Sequence, residues 1–262
     1  MTSILARDDA DGVATLTLCA PNTRNPLGLL TLDSLIVALA NIEADASIGA
    51  VVLAAEGAAF SSGHDLKEMT AHRSDADGGK AFFEKLFLRC AELMQAIAAS
   101  PKPVIAAVEG IATAAGCQLV AACDLAVAGE AARFALPGAA LGLFCSTPLV
   151  AVGRAVSRKA AMELALTATP IGARRAETMG LVNRVVPAGA ALREAQALGA
   201  QIATRSRKVV AEGKRTYRRQ IGMDLPDAYA LASQAMVEGL ATPDSIEGIS
   251  AFLGKREPQW RA

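Results

Sequence analysis

Four small residues, Thr113-Ala114-Ala115-Gly116, follow a run of β-formers and open a segment with helical spacing. A helix that starts this way leaves its first N–H groups unpaired at the positive end of its dipole. With no bulky side chain nearby, a ligand oxygen can reach the backbone. The chemistry that suits such a place is polarisation of a carbonyl and stabilisation of the oxyanion made from it. Other common chemistries lack their signatures. There is no Gly-x-Ser-x-Gly elbow, P-loop or dinucleotide fingerprint, so serine-hydrolase, nucleotide-hydrolase and dehydrogenase readings drop out. Five cysteines, Cys19, Cys90, Cys117, Cys123 and Cys145, form no CxxC pair, and only His64 and His72 accompany them, so no metal site is expected. They read as reduced, small apolar core residues.

The elements that must position these residues alternate. Residues 12–21 alternate β-formers up to Pro21, and residues 30–45 have helical spacing. Residues 48–57 form a short continuous apolar run ending in Gly57, as expected of a strand buried on both faces. After "FSSGHDLKEM" (60–69) and a polar loop, residues 81–100 form a long amphipathic helix stopped by Pro101 and Pro103. Strands are expected at 103–110 and 124–129, with a short helix between them. This order predicts an α/β fold with mainly parallel pairing. From about residue 146 the chain reads as mostly helical: a strand at "LVNRVVP", then three more helices, the last over 242–255 with Asp244 as N-cap and Glu247 as its capping-box partner. One core over 1–200 and a helical segment over 201–262 are expected.

Composition bounds the partners. Hydrophobic residues make up 52% of the 262 residues and aromatics 4%, so Ala, Val, Leu and Ile must fill the core. A balance of 26 basic against 26 acidic residues gives no global field toward nucleic acid or anionic membrane. The opening residues show neither signal-peptide nor transit character, and no long uncharged apolar run follows, which predicts a cytoplasmic protein without membrane partners. The basic run at 205–219 reads as a solvated helix face or a groove wall, with nucleic acid as the disfavoured partner.

Three segments together resemble the crotonase, or enoyl-CoA hydratase/isomerase, superfamily over the whole length: "SSGHDLKEM" (61–69), "PKPVIAAVEGIATAAGCQLVAACDLAVAGEAARFALP" (101–137), and "GLVNRVV" (180–186) with "GISAFLGKREPQW" (248–260). The run "LGLFCSTP" (141–148) and "SQAMVEGLAT" (233–242) resemble the subgroup of enoyl-CoA hydratase domain-containing protein 3 in particular. The resemblance implies a crotonase-like spiral of repeated ββα units with C-terminal helices that trimerise, as a homotrimer or dimer of trimers. It implies a coenzyme A thioester as substrate or ligand, with no covalently bound cofactor and no metal. It places the oxyanion-hole N–H groups on His64 and Ala115. Pro26, Ser62, Asp65, Leu66 and Lys67 should line the CoA groove, while Phe252 and Lys255 should reach a neighbouring subunit's CoA.

The same resemblance puts a hydratase's two carboxylates at Gln118 and Gly138, and here neither residue has one. An amide can hydrogen-bond a water but cannot move a proton at neutral pH, and glycine has no side chain. Ordinary hydratase activity is therefore not expected. The candidates for a relocated group are the His64 imidazole and Cys145 with Ser146, which lie beside the segment that carries water in a hydratase; a Cys–His pair would suit thioester hydrolysis. Asp65 reads as a cap, Glu84 as an exposed helix charge and Glu109 as a strand-end residue. Two functions stay open: an acyl-CoA enzyme that makes enolates, and a non-catalytic acyl-CoA binder.

Overall fold

The computed structural model describes residues 3–260. It opens with a hairpin, β1 (Leu5–Ala10) and β2 (Val13–Leu18), turning through Asp11 and Gly12 at φ of 52° and 74°. These are the left-handed values that two-residue hairpin turns need. Helix α1 (Leu29–Ala44) follows. A unit then recurs in which a buried strand turns a corner, a three-residue strand leaves it, and helix follows. Its first copy is β3 (Ala50–Ala55), β4 (Ala59–Ser61), α2 (Leu66–Ala71) and α3 (Lys80–Ala99). The next are β5 (Val104–Val108), β6 (Ile111–Thr113) and α4 (Ala115–Ala122), then β7 (Leu125–Gly129), β8 (Arg133–Ala135) and α5 (Ser146–Ala155). The chain finishes through α6 (Arg158–Thr167), β9 (Ile171–Gly172), α7 (Ala173–Met179), β10 (Arg184–Val186), α8 (Ala191–Ala203), α9 (Arg207–Gln220), α10 (Leu225–Leu240) and α11 (Pro243–Leu253).

The first strands of the units stack parallel in a six-stranded sheet of order β1-β2-β3-β5-β7-β10, with β1 antiparallel at its edge; the second strands form a four-stranded sheet of order β4-β6-β8-β9. This is the expected spiral of ββα units. The corners pack backbone on backbone. At Gly110, with φ of 67°, a β-carbon would stand 2.0 Å from the Ala58 carbonyl oxygen of the previous corner, so glycine is required. The central strands "AVVLAA" and "VIAAV" are buried because both faces are covered. On one face Leu16, Leu53, Leu35 and Leu93 join the main core; on the other, Ala191 and Ala195 of α8 pack against Val13, Val52, Ile105 and Val127. Each fully buried leucine contributes about 1.5–3 kcal/mol of transfer free energy. Small residues on α8 let the helix lie close to the sheet, which is how a chain poor in aromatics closes its core.

Four expectations are corrected. Strand β1, "LARDDA", escapes a periodicity reading because it is an exposed, charged edge strand. The three-residue strands β6 and β8 are too short to register as hydrophobic runs. Four helices, not three, follow β10, since residues 191–220 break at Ser206, which caps α9 by accepting from Val209 N–H at 3.2 Å. Helix α11 is capped by Thr242, whose Oγ1 accepts from Ser245 N–H at 3.2 Å. Asp244 is instead buried and accepts from the Ser206 hydroxyl, while Glu247 pairs with Arg256 at 2.6 and 2.8 Å.

Candidate active site

Strands β4 and β6 run parallel as neighbours, so the loops leaving their ends meet. From β4 comes Ser62-Gly63-His64-Asp65; from β6 comes Thr113-Ala114, then α4. One side-chain hydroxyl and the backbone build the contact. Thr113 Oγ1 donates to the Ser62 carbonyl at 3.0 Å, Leu27 N–H donates to the Gly63 carbonyl at 2.8 Å, and Ser62 N–H donates to the Arg24 carbonyl at 2.9 Å. Gly63 has φ of 85°, and a β-carbon there would lie 3.1 Å from the Ala115 nitrogen. Ala114 has φ of 49° and ψ of −118°, a strained conformation for a residue with a β-carbon. That kink turns the chain directly from strand into helix. The N–H groups of His64 and Ala115 have no hydrogen-bond partner among the described residues.

One support went unnoticed in the sequence. Asn25, buried and at φ of 50°, accepts from Ala20 N–H at 2.8 Å and donates to the carbonyls of Glu56 and Ala59 at 2.9 and 2.8 Å. It fixes the 20–27 segment on which Gly63 rests. The signal was the Asn-Pro dipeptide, which marks a turn but not what the turn braces.

The His64 ring leaves this loop toward two elements. Its Nδ1 lies 2.9 Å from the Leu27 carbonyl, which can only accept, so the proton sits on Nδ1. Nε2 is then a bare acceptor, and it is buried without a partner. The ring stands edge-on to Phe87 of α3, with centroids 5.3 Å apart. Burial pushes the imidazole below its usual pKa of about 6.5, outweighing the Leu27 carbonyl, so the ring is neutral at pH 7.

The two positions at which the resemblance expects carboxylates, Gln118 and Gly138, are engaged otherwise. Gln118 is buried, and its Oε1 accepts from the Cys90 thiol of α3 at 3.9 Å. At Gly138 a β-carbon would fall 2.0 Å from the Leu143 carbonyl oxygen and 2.7 Å from Cys145 Sγ. The turn over 138–145 closes on itself, Leu143 N–H donating to the Gly138 carbonyl at 3.0 Å and Gly138 N–H pointing at Cys145 Sγ at 3.3 Å. There is no room for a longer side chain.

The remaining candidates are placed plainly. Burial raises the pKa of the Cys145 thiol, and because His64 Nδ1 is committed and Nε2 unpaired, no Cys–His pair is formed. Ser146 is exposed at the start of α5. Asp65 caps α2, its Oδ1 accepting from the N–H groups of Lys67 and Glu68 at 2.8 and 3.2 Å. Leu66 and Lys67 are exposed beside it, and Pro26 accepts from Thr31 Oγ1 at 3.0 Å. Phe252 lies on α11 and Lys255 two residues beyond its end, with Phe252 83% exposed. Glu109 is spent on the Ala191 N–H at the start of α8, at 2.9 Å, and Glu84 is exposed.

Residues 8–262 match the family model described as enoyl-CoA hydratase/isomerase. This chain belongs to the enoyl-CoA hydratase/isomerase family. Among its relatives, the enoyl-CoA hydratase domain-containing protein 3 of Homo sapiens is 46% identical over 95% of this chain and 81% of its own length. The rat protein of the same name is 46% identical over 95% of this chain and 82% of its own. Solved crotonase-fold structures agree: the enoyl-CoA hydratase of Mycobacterium smegmatis superposes with a TM-score of 0.93 at 48% identity, covering 100% of both chains. The human domain-containing protein 3 superposes with a TM-score of 0.93 at 44% identity, covering 98% of this chain and 100% of that one. The rat and human relatives are named as mitochondrial proteins, and this overturns the cytoplasmic location expected from the sequence. Neutral charge and the character of the opening residues do not determine compartment.

Proposed function

We propose that this member of the family binds an acyl-CoA thioester and polarises its carbonyl between the N–H groups of His64 and Ala115, stabilising the enolate that forms on loss of an α-proton. The observation that carries the reading is the close approach of Gly63 to Ala115, with the N–H groups of His64 and Ala115 both unpaired among the described residues. Two such donors act where charge develops, and each is worth about 10²–10³ in rate. Ordinary two-carboxylate hydration does not suit these residues. Gln118 is an amide turned onto Cys90, and Gly138 is closed by its own turn, so neither can add and deprotonate water.

In this reading Pro26, Ser62, Asp65, Leu66 and Lys67 line the CoA groove, and residues 1–200 form the acyl-CoA core. Residues 201–262 would assemble the chain into a homotrimer or dimer of trimers, which the exposed Ile246, Ile249 and Leu253 of α11 favour. Phe252 and Lys255 would then meet a neighbour's CoA. Nucleic acid remains the disfavoured partner, because the basic run is partly spent on structure: Lys214 pairs with Asp124 at 2.5 Å, and Arg207 donates to the Ser47 carbonyl at 3.1 Å.

The missing carboxylates favour a second reading, a binder without turnover. Calorimetric titration with butyryl-CoA, followed by deuterium exchange at its α-carbon, separates the two. Binding with exchange that Ala115→Pro abolishes supports the enzyme; binding without exchange supports the binder; no binding sinks both.

A further inference from the structure

The loss of both carboxylates leaves open what moves the proton. Most titratable groups the sequence offered are committed elsewhere. Asp65 caps a helix, Glu109 holds the start of α8, Glu84 faces solvent, and Cys145 is a buried thiol against Gly138 N–H. His64 alone among these presents an unspent atom. Its Nδ1–H is tied to the Leu27 carbonyl at 2.9 Å, which fixes the tautomer and the ring, and its Nε2 lone pair is buried with nothing to accept from. A buried acceptor with no protein partner is uncommon, and it leaves this nitrogen free to take a proton.

The ring packs against α3. It touches Phe87 of α3, while Gln118, in the place of a family carboxylate, touches Cys90 of the same helix. Phe87 and Cys90 are three residues apart and share a helix face. The imidazole and the Gln118 amide therefore address one stretch of α3, one from the β4 loop and one from α4.

We propose that the His64 imidazole is the acid/base group of this site: Nε2 takes the α-proton of the bound acyl thioester while the two backbone N–H groups hold the enolate. The proposal rests on the acyl-thioester reading above. The α-carbon–hydrogen bond breaks, its electron pair passes into the enolate, and an Nε2–H bond forms to give an imidazolium. Returning that proton to the α-carbon gives exchange. Returning it to the γ-carbon of a 3-enoyl thioester gives the 2-enoyl isomer, with no other reactant. One base suffices for either, whereas hydration needs a water both delivered and deprotonated. Burial, which keeps the ring neutral at pH 7, leaves the base ready.

The test follows α-deuterium exchange of butyryl-CoA and isomerisation of a 3-enoyl-CoA, with butyryl-CoA affinity measured alongside. His64→Asn keeps the backbone N–H and a side-chain donor for Leu27 but has no basic nitrogen. It should bind with unchanged affinity and lose about 10²–10⁴-fold in both rates. His64→Glu, which restores a base, should recover part of the loss. The wild-type rate should climb with pH and level off above an apparent pKa below about 6.5. Undiminished exchange in His64→Asn, or a wild-type rate that falls as pH rises from about 5 to 8, would overturn the proposal. Should His64→Asn fail to bind, the wild-type profile and His64→Glu decide. Wild-type binding without exchange removes His64 as the base and leaves acyl-CoA binding standing; absence of binding removes both.

Discussion

Gly63 lies against Ala115 so closely that a β-carbon on the first would stand 3.1 Å from the amide nitrogen of the second. The two residues belong to loops from adjacent parallel strands, the loops that carry the proposed oxyanion donors, the N–H groups of His64 and Ala115. Gly63→Ala would also place a side chain at φ of 85° and within 3.0 Å of both Ala114 Cβ and the Thr113 carbonyl. It should destabilise the fold by about 1–3 kcal/mol and cut α-exchange by about 10²-fold. Thermal unfolding and exchange measured on one preparation check both. Exchange at the wild-type rate would mean that the donors lie elsewhere.

Gly138→Glu, the obvious attempt to restore a hydratase carboxylate, should yield no hydration of a short 2-enoyl-CoA. The new β-carbon would collide with the Leu143 carbonyl oxygen, so the variant should lose about 1–3 kcal/mol or more. Urea unfolding and enoyl ultraviolet absorbance give the two readouts. A stable, hydrating Gly138→Glu protein would contradict the closed turn.

Stability should fall on both sides of neutrality, for opposite reasons. His64 has a folded pKa below its unfolded value near 6.5, so below that pH the unfolded chain binds more protons and stability drops as pH falls. The buried thiols of Cys90 and Cys117 are both pushed up to about 12 by burial, against 9.0 when free. Between those values the unfolded chain holds fewer protons, so stability declines as pH rises from about 9 toward about 12. Urea midpoints across pH check this. His64→Asn should flatten the acid arm and leave the alkaline arm in place.

Leu253, 76% exposed on α11, belongs to the apolar face assigned to assembly. Leu253→Glu should reduce the mass measured by light scattering to that of a single chain, while intrinsic stability changes by about 0.5 kcal/mol or less, as for other surface substitutions. An unchanged mass would place the assembly face elsewhere.

The sequence makes the α/β order, the long helices and the loop pair at 61–65 and 113–116 legible, because buried runs and small-residue turns leave a local imprint. Strand β1 leaves none, since its residues "LARDDA" face solvent and its place is set by pairing with β2. The cap of α11 is not legible locally because Thr242, Asp244 and Glu247 all suit a helix start; tertiary contacts with Ser206 and Arg256 decide among them. In the site, the missing carboxylates are visible by residue type alone. That Nε2 of His64 is left open depends on Leu27, 37 residues away, and no local pattern carries that information.

The closed turn at Gly138 also bears on how the chain can change over time. A carboxylate at 138 is not one substitution away, since the path from Leu143 to Cys145 must move before any side chain has space. Two-carboxylate chemistry at this site therefore requires linked changes in which the turn is remade first.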